Sequence, residues 1–198
     1  MSKGESTRER IVSRALRWAS RDGLTGLSIG GLAQDLGLSK SGLFAHFGSK
    51  EELQVEVLQA AASRFVDQVV RDAIRAPRGR PRVERMFENW LRWSSLPELP
   101  GGCPMVAAST ELDDHEGRAR DELAGMEMQK LATLAKAARL AVAEGHFRPD
   151  LDCEQFAFEE IGILLAFHQA QRLHRHPQAE ARARAAFSRL LADAQAAA

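Results

Sequence analysis

The 198-residue sequence predicts an all-α protein of nine helices. Three observations carry that prediction. Apolar residues recur at spacings of three and four along nearly the whole chain, glycine and proline fall between these periodic stretches, and no stretch alternates convincingly with the period of two that a strand requires. No internal repeat is found.

The first helix is announced by Ser6 and Glu9, spaced as a capping box, ahead of Ile11, Val12, Ala15, Leu16 and Ala19 on one face, and Gly23 supplies its stop. Ser28 is placed to cap a short second helix carrying Ile29, Leu32, Ala33 and Leu36, which Gly37 breaks after about two turns. A third short helix starts at Ser39. Ser49 and Glu52 repeat the capping-box spacing and open a long fourth helix, in which Leu53, Val57, Ala61, Phe65 and Val69 recur every fourth residue over about six turns.

Ala76 to Pro81 holds two prolines and a glycine and reads as the first linker. Val83, Met86, Phe87, Trp90 and Leu91 then mark a fifth helix that stops before Pro97 and Pro100, and Pro104 suits the first position of a sixth. A solvated loop, Asp113 to Gly117, precedes a seventh helix that carries Leu123, Met126, Leu134, Ala138 and Ala141 and closes at Gly145 and Pro149. Asp152 is placed to cap the eighth, whose centre from Ile161 to Phe167 is apolar on more than one side and needs cover on both. Pro177 sets off the ninth, with Ala183, Phe187, Leu190 and Leu191 on a common face and an alanine-rich tail expected to fray.

No apolar run reaches the roughly 18 residues that cross a bilayer, and Met1 to Glu5 lacks the apolar stretch of a secretory signal, so no membrane role is expected and a cytoplasmic location is. Cys103 and Cys153 are too few for a disulfide framework and have no metal-type spacing. His168, His174 and His176 lack the i, i+4 pairing that would bring two imidazoles together, so neither metal nor cofactor is expected. The formal net charge is zero, yet residues 1–50 hold eight Lys/Arg against four acids. A cationic first quarter on an anionic remainder suits a separate module for a polyanion.

Residues 28–47 set two short helices in series around Gly37, the arrangement in which one helix props another into the DNA major groove. The second of them begins Ser39-Lys40-Ser41-Gly42: small hydroxyls, a cation and backbone amides at a helix N-terminus, where phosphate oxygens are well received. From Ser39 through Phe44, His46, Phe47 and Lys50 to Leu53 the segment resembles the signature of the TetR family of repressors, and the likeness is strong over about residues 7–55. The resemblance implies a helix-turn-helix DNA-binding domain over residues 1–53 and a ligand-binding and dimerisation domain over 54–198. It implies further that Ser39, Lys40, Ser41 and Gly42 face base edges or phosphates, with Phe44, His46 and Lys50 against the DNA backbone; Ser28 is counted with the DNA-facing set, and Phe47 is expected in the core.

Two departures stand out. The family usually has tyrosine where Phe44 stands, which removes a hydroxyl contact to phosphate worth about 1 kcal/mol net. Adjacent Gly30 and Gly31 each cost the second helix about 1 kcal/mol relative to alanine.

Met86, Phe87, Trp90, Trp93, Met105, Met126, Phe147, Phe156 and His168 supply bulk and a few polar groups for an apolar cavity, although such residues also simply build cores. Cys103, before a helix start, reads as a buried filler in preference to a redox sensor. The resulting expectation is a regulator, a repressor in the main reading. It binds a palindromic double-stranded DNA operator as a homodimer paired through its eighth and ninth helices and is released by a small-molecule effector. The alternatives are a ligand-blind DNA-binding or scaffolding protein and a helical enzyme using Cys103; no catalytic residue is assigned.

Overall fold

The periodic stretches fold as helices in a computed structural model that describes residues 3–196. In chain order they are α1 (Lys3–Asp22), α2 (Ile29–Asp35), α3 (Lys40–Phe47), α4 (Lys50–Phe65), α5 (Arg80–Trp93), α6 (Pro104–Leu112), α7 (Arg118–Ala143), α8 (Cys153–Arg172) and α9 (Ala179–Ala194). Among the described residues there is no strand, only an isolated antiparallel bridge between Phe147 and Gln195, and no helix is long and apolar enough to cross a membrane.

α1 begins three residues ahead of Ser6, so the expected capping box lies inside the helix. Nothing in Lys3 to Glu5 forbids a further helical turn, and polar residues carry no apolar period to mark where a helix starts. The Ser49 cap does form, with its hydroxyl accepting from the Glu52 N–H at 3.0 Å, but the Glu52 carboxylate turns away to pair with Arg118. α4 continues past Phe65 through π-helical Val66–Arg71 into α-helical Asp72–Ile74. A strict four-residue repeat drifts about 40° per step on a helix of 3.6 residues per turn. The wider π turn offsets part of that drift, and Leu53, Val57, Ala61, Phe65 and Val69 all remain buried.

The chain packs as two compact units, Met1–Arg64 with Ser95–Gly125 and Phe65–Ser94 with Met126–Ala198. The first buries Ile11, Ala15 and Leu16 of α1, Leu32 of α2, Leu43 and Phe47 of α3, and Leu53 and Val57 of α4. α1 packs on α6, and at Gly101 the chain lies so close to α1 that a Cβ would fall 1.4 Å from the Ser20 carbonyl oxygen. The Ser20 hydroxyl completes this join: it accepts from the Gly101 N–H at 3.0 Å and donates to the Gly102 carbonyl at 2.8 Å.

The second unit is built on aromatic packing. Phe87 of α5 stacks on Phe187 of α9 with centroids 3.9 Å apart, Phe147 meets Phe156 at 5.3 Å, and Phe65 meets Trp90 and Trp93 edge to face at 5.0 and 5.8 Å. The buried Asn89 amide donates to the Val69 carbonyl in the π segment at 3.1 Å and to the Asp72 carboxylate at 3.0 Å. α7 ends in a Schellman motif: the Gly145 N–H bonds to Val142 and the His146 N–H to Ala141, with Gly145 at φ +72°.

Candidate nucleic-acid interface

α2 and α3 are joined by a turn whose geometry follows from Gly37. Its φ of +67° lies in the left-handed region, its N–H bonds to the Gln34 carbonyl, and the Leu38 N–H reaches back to Ala33 at 2.9 Å, closing α2 as a Schellman motif. Leu38 leads directly to Ser39, whose hydroxyl accepts from the Gly42 N–H at 3.0 Å and caps α3. Ser28 caps α2 in the same way, accepting from the Gly31 N–H at 3.0 Å. A Cβ on Gly42 would crowd the Ser39 hydroxyl at 2.8 Å, and one on Gly31 would press on the Trp18 ring at 3.3 Å, so both glycines serve packing at the cost of helix propensity.

α3 is two-faced. Leu43 and Phe47 point into the core, while Lys40, Ser41, Gly42, Phe44 and Ala45 are exposed, Phe44 at 49% despite its size. Phe44 lines an open surface hollow together with Lys40, Ser41 and Ala45. Ser39 lies beside Ser41, hydroxyl to hydroxyl at 3.3 Å, and both face solvent.

The residues flanking the far end of α3 are more engaged. His46 is half-buried against Phe47, with ring centroids 6.2 Å apart, and its carbonyl accepts from Arg8 at 2.6 Å. Arg8 itself lies over the Phe47 ring at 5.0 Å and pairs with Glu56. The exposed Lys50 ammonium donates to the Thr25 carbonyl at 2.6 Å, and Thr25 in turn donates its N–H and hydroxyl to Glu111. The eight residues expected at DNA therefore all lie in the first unit, with His46 the least accessible of them.

The residues expected around a ligand divide between the units. Met105 is buried in the first. Met86, Phe87, Trp90, Trp93, Phe147 and Phe156 are buried in the second, where Met126 and His168 are half-buried. His168 has a buried Nδ1 without a hydrogen-bond partner, and burial, followed by the nearby Arg172 charge, holds its pKa below the usual imidazole value. Cys103 is buried at the N-cap of α6. Among the described residues no group of three His, Cys, Asp or Glu is arranged to hold a metal.

Sequence reading missed Glu160, Glu127 and Lys130. Glu160 is 1% exposed, with neither carboxyl oxygen hydrogen-bonded, and burial pushes its pKa up to about 8. The only available signal was its register: Phe156, Glu160, Leu164 and Phe167 share one helical face, whereas the adjacent Glu159 is exposed.

Residues 11–57 match the model of the bacterial regulatory proteins of the tetR family, and residues 79–187 match that of the tetracyclin repressor-like C-terminal domain. No curated protein matches the chain. Among solved structures, a TetR transcriptional regulator from Chloroflexus aurantiacus is similar at 24% identity and a TM-score of 0.81, covering 97% of this chain and 96% of that one. A TetR-family regulator from Cytophaga hutchinsonii is similar at 20% identity and a TM-score of 0.84, covering 100% and 99%. AibR, crystallised with isovaleryl coenzyme A and operator DNA, is similar at 19% identity and a TM-score of 0.74, covering 93% and 97%.

Proposed function

Because the chain belongs to the TetR family of bacterial transcriptional regulators, we propose that it is a homodimeric repressor that binds a palindromic operator and is released by a small-molecule effector. The observation that carries this reading is α3, a capped helix that presents Lys40, Ser41, Phe44 and Ala45 to solvent while Leu43 and Phe47 anchor it from beneath. Its N-terminal turn offers hydroxyls, an ammonium and backbone amides to phosphates and base edges. Ser28, at the start of α2, and Lys50, at the start of α4, flank it with further donors to the DNA backbone. An ammonium has three donors, so the bond from Lys50 to Thr25 does not consume its capacity for a phosphate.

Dimerisation is assigned to α8 and α9. The outer side of this pair exposes Phe158 and Leu165 and forms a groove lined by Ile163 and by Gly162, Ala166, Ala170, Ala183 and Ala186, small residues that permit close approach of a second copy. Reading two half-sites in successive major grooves requires the two copies of α3 in such a dimer to lie roughly 34 to 36 Å apart. The functional division falls at residue 53: residues 1–53 read DNA and 54–198 sense and dimerise. α4 contributes residues to both compact units, so an effector that favours one disposition of this helix opposes operator binding reciprocally. A coupling of about 1 to 3 kcal/mol would change operator affinity 5- to 150-fold. That AibR was crystallised with both a small molecule and operator DNA supports assigning both kinds of ligand to this fold.

The test is selection of a binding sequence from random duplexes by the full chain, followed by titration at several salt concentrations. A palindromic site is expected, together with a dimer in sedimentation equilibrium; a monomer without sequence preference overturns the reading. Lys50→Ala should weaken binding on all sequences and flatten the salt dependence by about one unit, as the loss of one phosphate contact does. An unchanged slope removes Lys50 from the interface.

A further inference from the structure

Among the described residues the second unit buries two charged side chains, Lys130 and Glu160, and only the first has a partner. α7 contributes Lys130, whose side chain is 7% exposed and whose ammonium pairs with Glu127 and lies 4.7 Å from the centre of the Trp90 ring and 5.9 Å from that of Phe65. That ammonium is thus matched by one carboxylate and two aromatic faces. α8 contributes Glu160, buried on the same side of its helix as Phe156 and Leu164, and no cation answers it. The second oxygen of Glu127 and the indole nitrogen of Trp93 are also buried without hydrogen-bond partners.

Buried polar atoms are hydrogen-bonded in the great majority of cases, so a carboxyl with both oxygens unsatisfied calls for an explanation. Packing does not provide one, since leucine or methionine would fill the same volume without a polar group to desolvate. An anionic ligand would find no free ammonium here, since Lys130 is already paired with Glu127. A neutral ligand would be served as well by glutamine. A cation would give the Glu160 carboxylate the partner it lacks, and the arrangement around Lys130 shows that aromatic faces in this interior already accommodate an ammonium.

We infer that the second unit takes an organic cation, an amine or quaternary ammonium on an apolar body, and that the Glu160 carboxylate is its counter-charge. The inference rests on the proposed reading that this unit holds the effector and names the effector's chemical class. In the free protein the carboxyl keeps its proton to about pH 8, with burial as the sole cause. The charged groups of the helices packed on α8 add nothing to that shift: Glu88 of α5 pairs with Arg184 of α9, and Arg182, Arg189 and Asp193 lie at the surface. His168 on α8 itself, held below the usual imidazole value, is neutral above neutral pH. Cation binding therefore releases one proton from Glu160 to solvent, and affinity should rise with pH by up to about tenfold per unit until the carboxyl is ionised in the free protein.

The experiment titrates the full chain with benzyltrimethylammonium, its neutral isostere neopentylbenzene and the anion phenylacetate, reading tryptophan fluorescence between pH 7 and 9. The cation should bind at least tenfold more tightly than either control, gain affinity up to about pH 8, and release a proton, seen as a binding heat that depends on the buffer's ionisation enthalpy. Glu160→Gln should lose at least tenfold of that affinity together with the pH dependence, with helix content by circular dichroism confirming the fold; the probe ranking and pH profile of the unaltered chain decide the matter if that variant does not fold. Equal binding of a control, a flat pH profile or no binding of the cation overturns the inference. If phenylacetate or neopentylbenzene binds and loosens the operator, the cation falls while the regulator stands, because the regulator reading is judged by the operator titration alone.

Discussion

In the first unit, Ser20 both donates and accepts within the join at Gly101 and Gly102, and Ser28, Ser39 and Ser49 each cap a helix. In the second, Trp93, Glu127, Glu160 and His168 each keep a buried polar atom without a hydrogen-bond partner, and no such atom is found among the described residues of the first. One unit spends its polar groups on holding a surface in shape; the other holds polar groups in reserve inside. Rigid presentation suits a helix that must match a fixed duplex, whereas an interior with unmet hydrogen bonds suits a guest that completes it.

Phe87→Ala probes that contrast with the largest expected effect. If the second unit is a packed core around the Phe87–Phe187 stack, the substitution should cost about 3 to 5 kcal/mol in denaturant unfolding. A loss under about 1 kcal/mol would instead make Phe87 the wall of an open cavity.

Glu160 gives the next largest effect, with a definite sign. The folded chain holds the proton to about pH 8 and the unfolded chain releases it near 4.5. Between these values the folded state binds more protons, so the stability associated with the neutral carboxyl is complete below 4.5 and declines until about pH 8. The decline is up to about 1.4 kcal/mol per pH unit. Urea unfolding at pH 6, 7 and 8 should show this slope in the wild type and its loss in Glu160→Gln; parallel profiles would mean that the carboxyl meets solvent or a partner.

Ser39→Ala has the smallest effect. Removing the cap on the Gly42 N–H should cost about 1 kcal/mol of stability. No change would show that the α3 terminus is held by its packing alone.

Much of this architecture was legible in the sequence, because glycine and proline punctuate it and the apolar period between them is long. The two-helix segment was legible for the same reason, as Ser28, Gly37 and Ser39 mark three ends within a dozen residues. The start of α1 was not, since polar residues leave no period to read. Nor was the packing of residues 95–125 with the N-terminal helices, which separated Met105 from the other expected lining residues; such long-range pairing has no local signature. Glu160 was hidden by its neighbour: two adjacent glutamates look like solvated surface, and only the register of α8 settles which one turns inward.

Gly101 rests directly on the Ser20 carbonyl, where the smallest side chain would collide. In a saturation mutagenesis screen scored by reporter output, position 101 would stand out as sharply as a base-reading residue, and its loss-of-function alleles would be mistaken for promoter-contact mutants. A melting curve would tell them apart, because a true contact mutant stays folded at the growth temperature and a Gly101 allele comes loose.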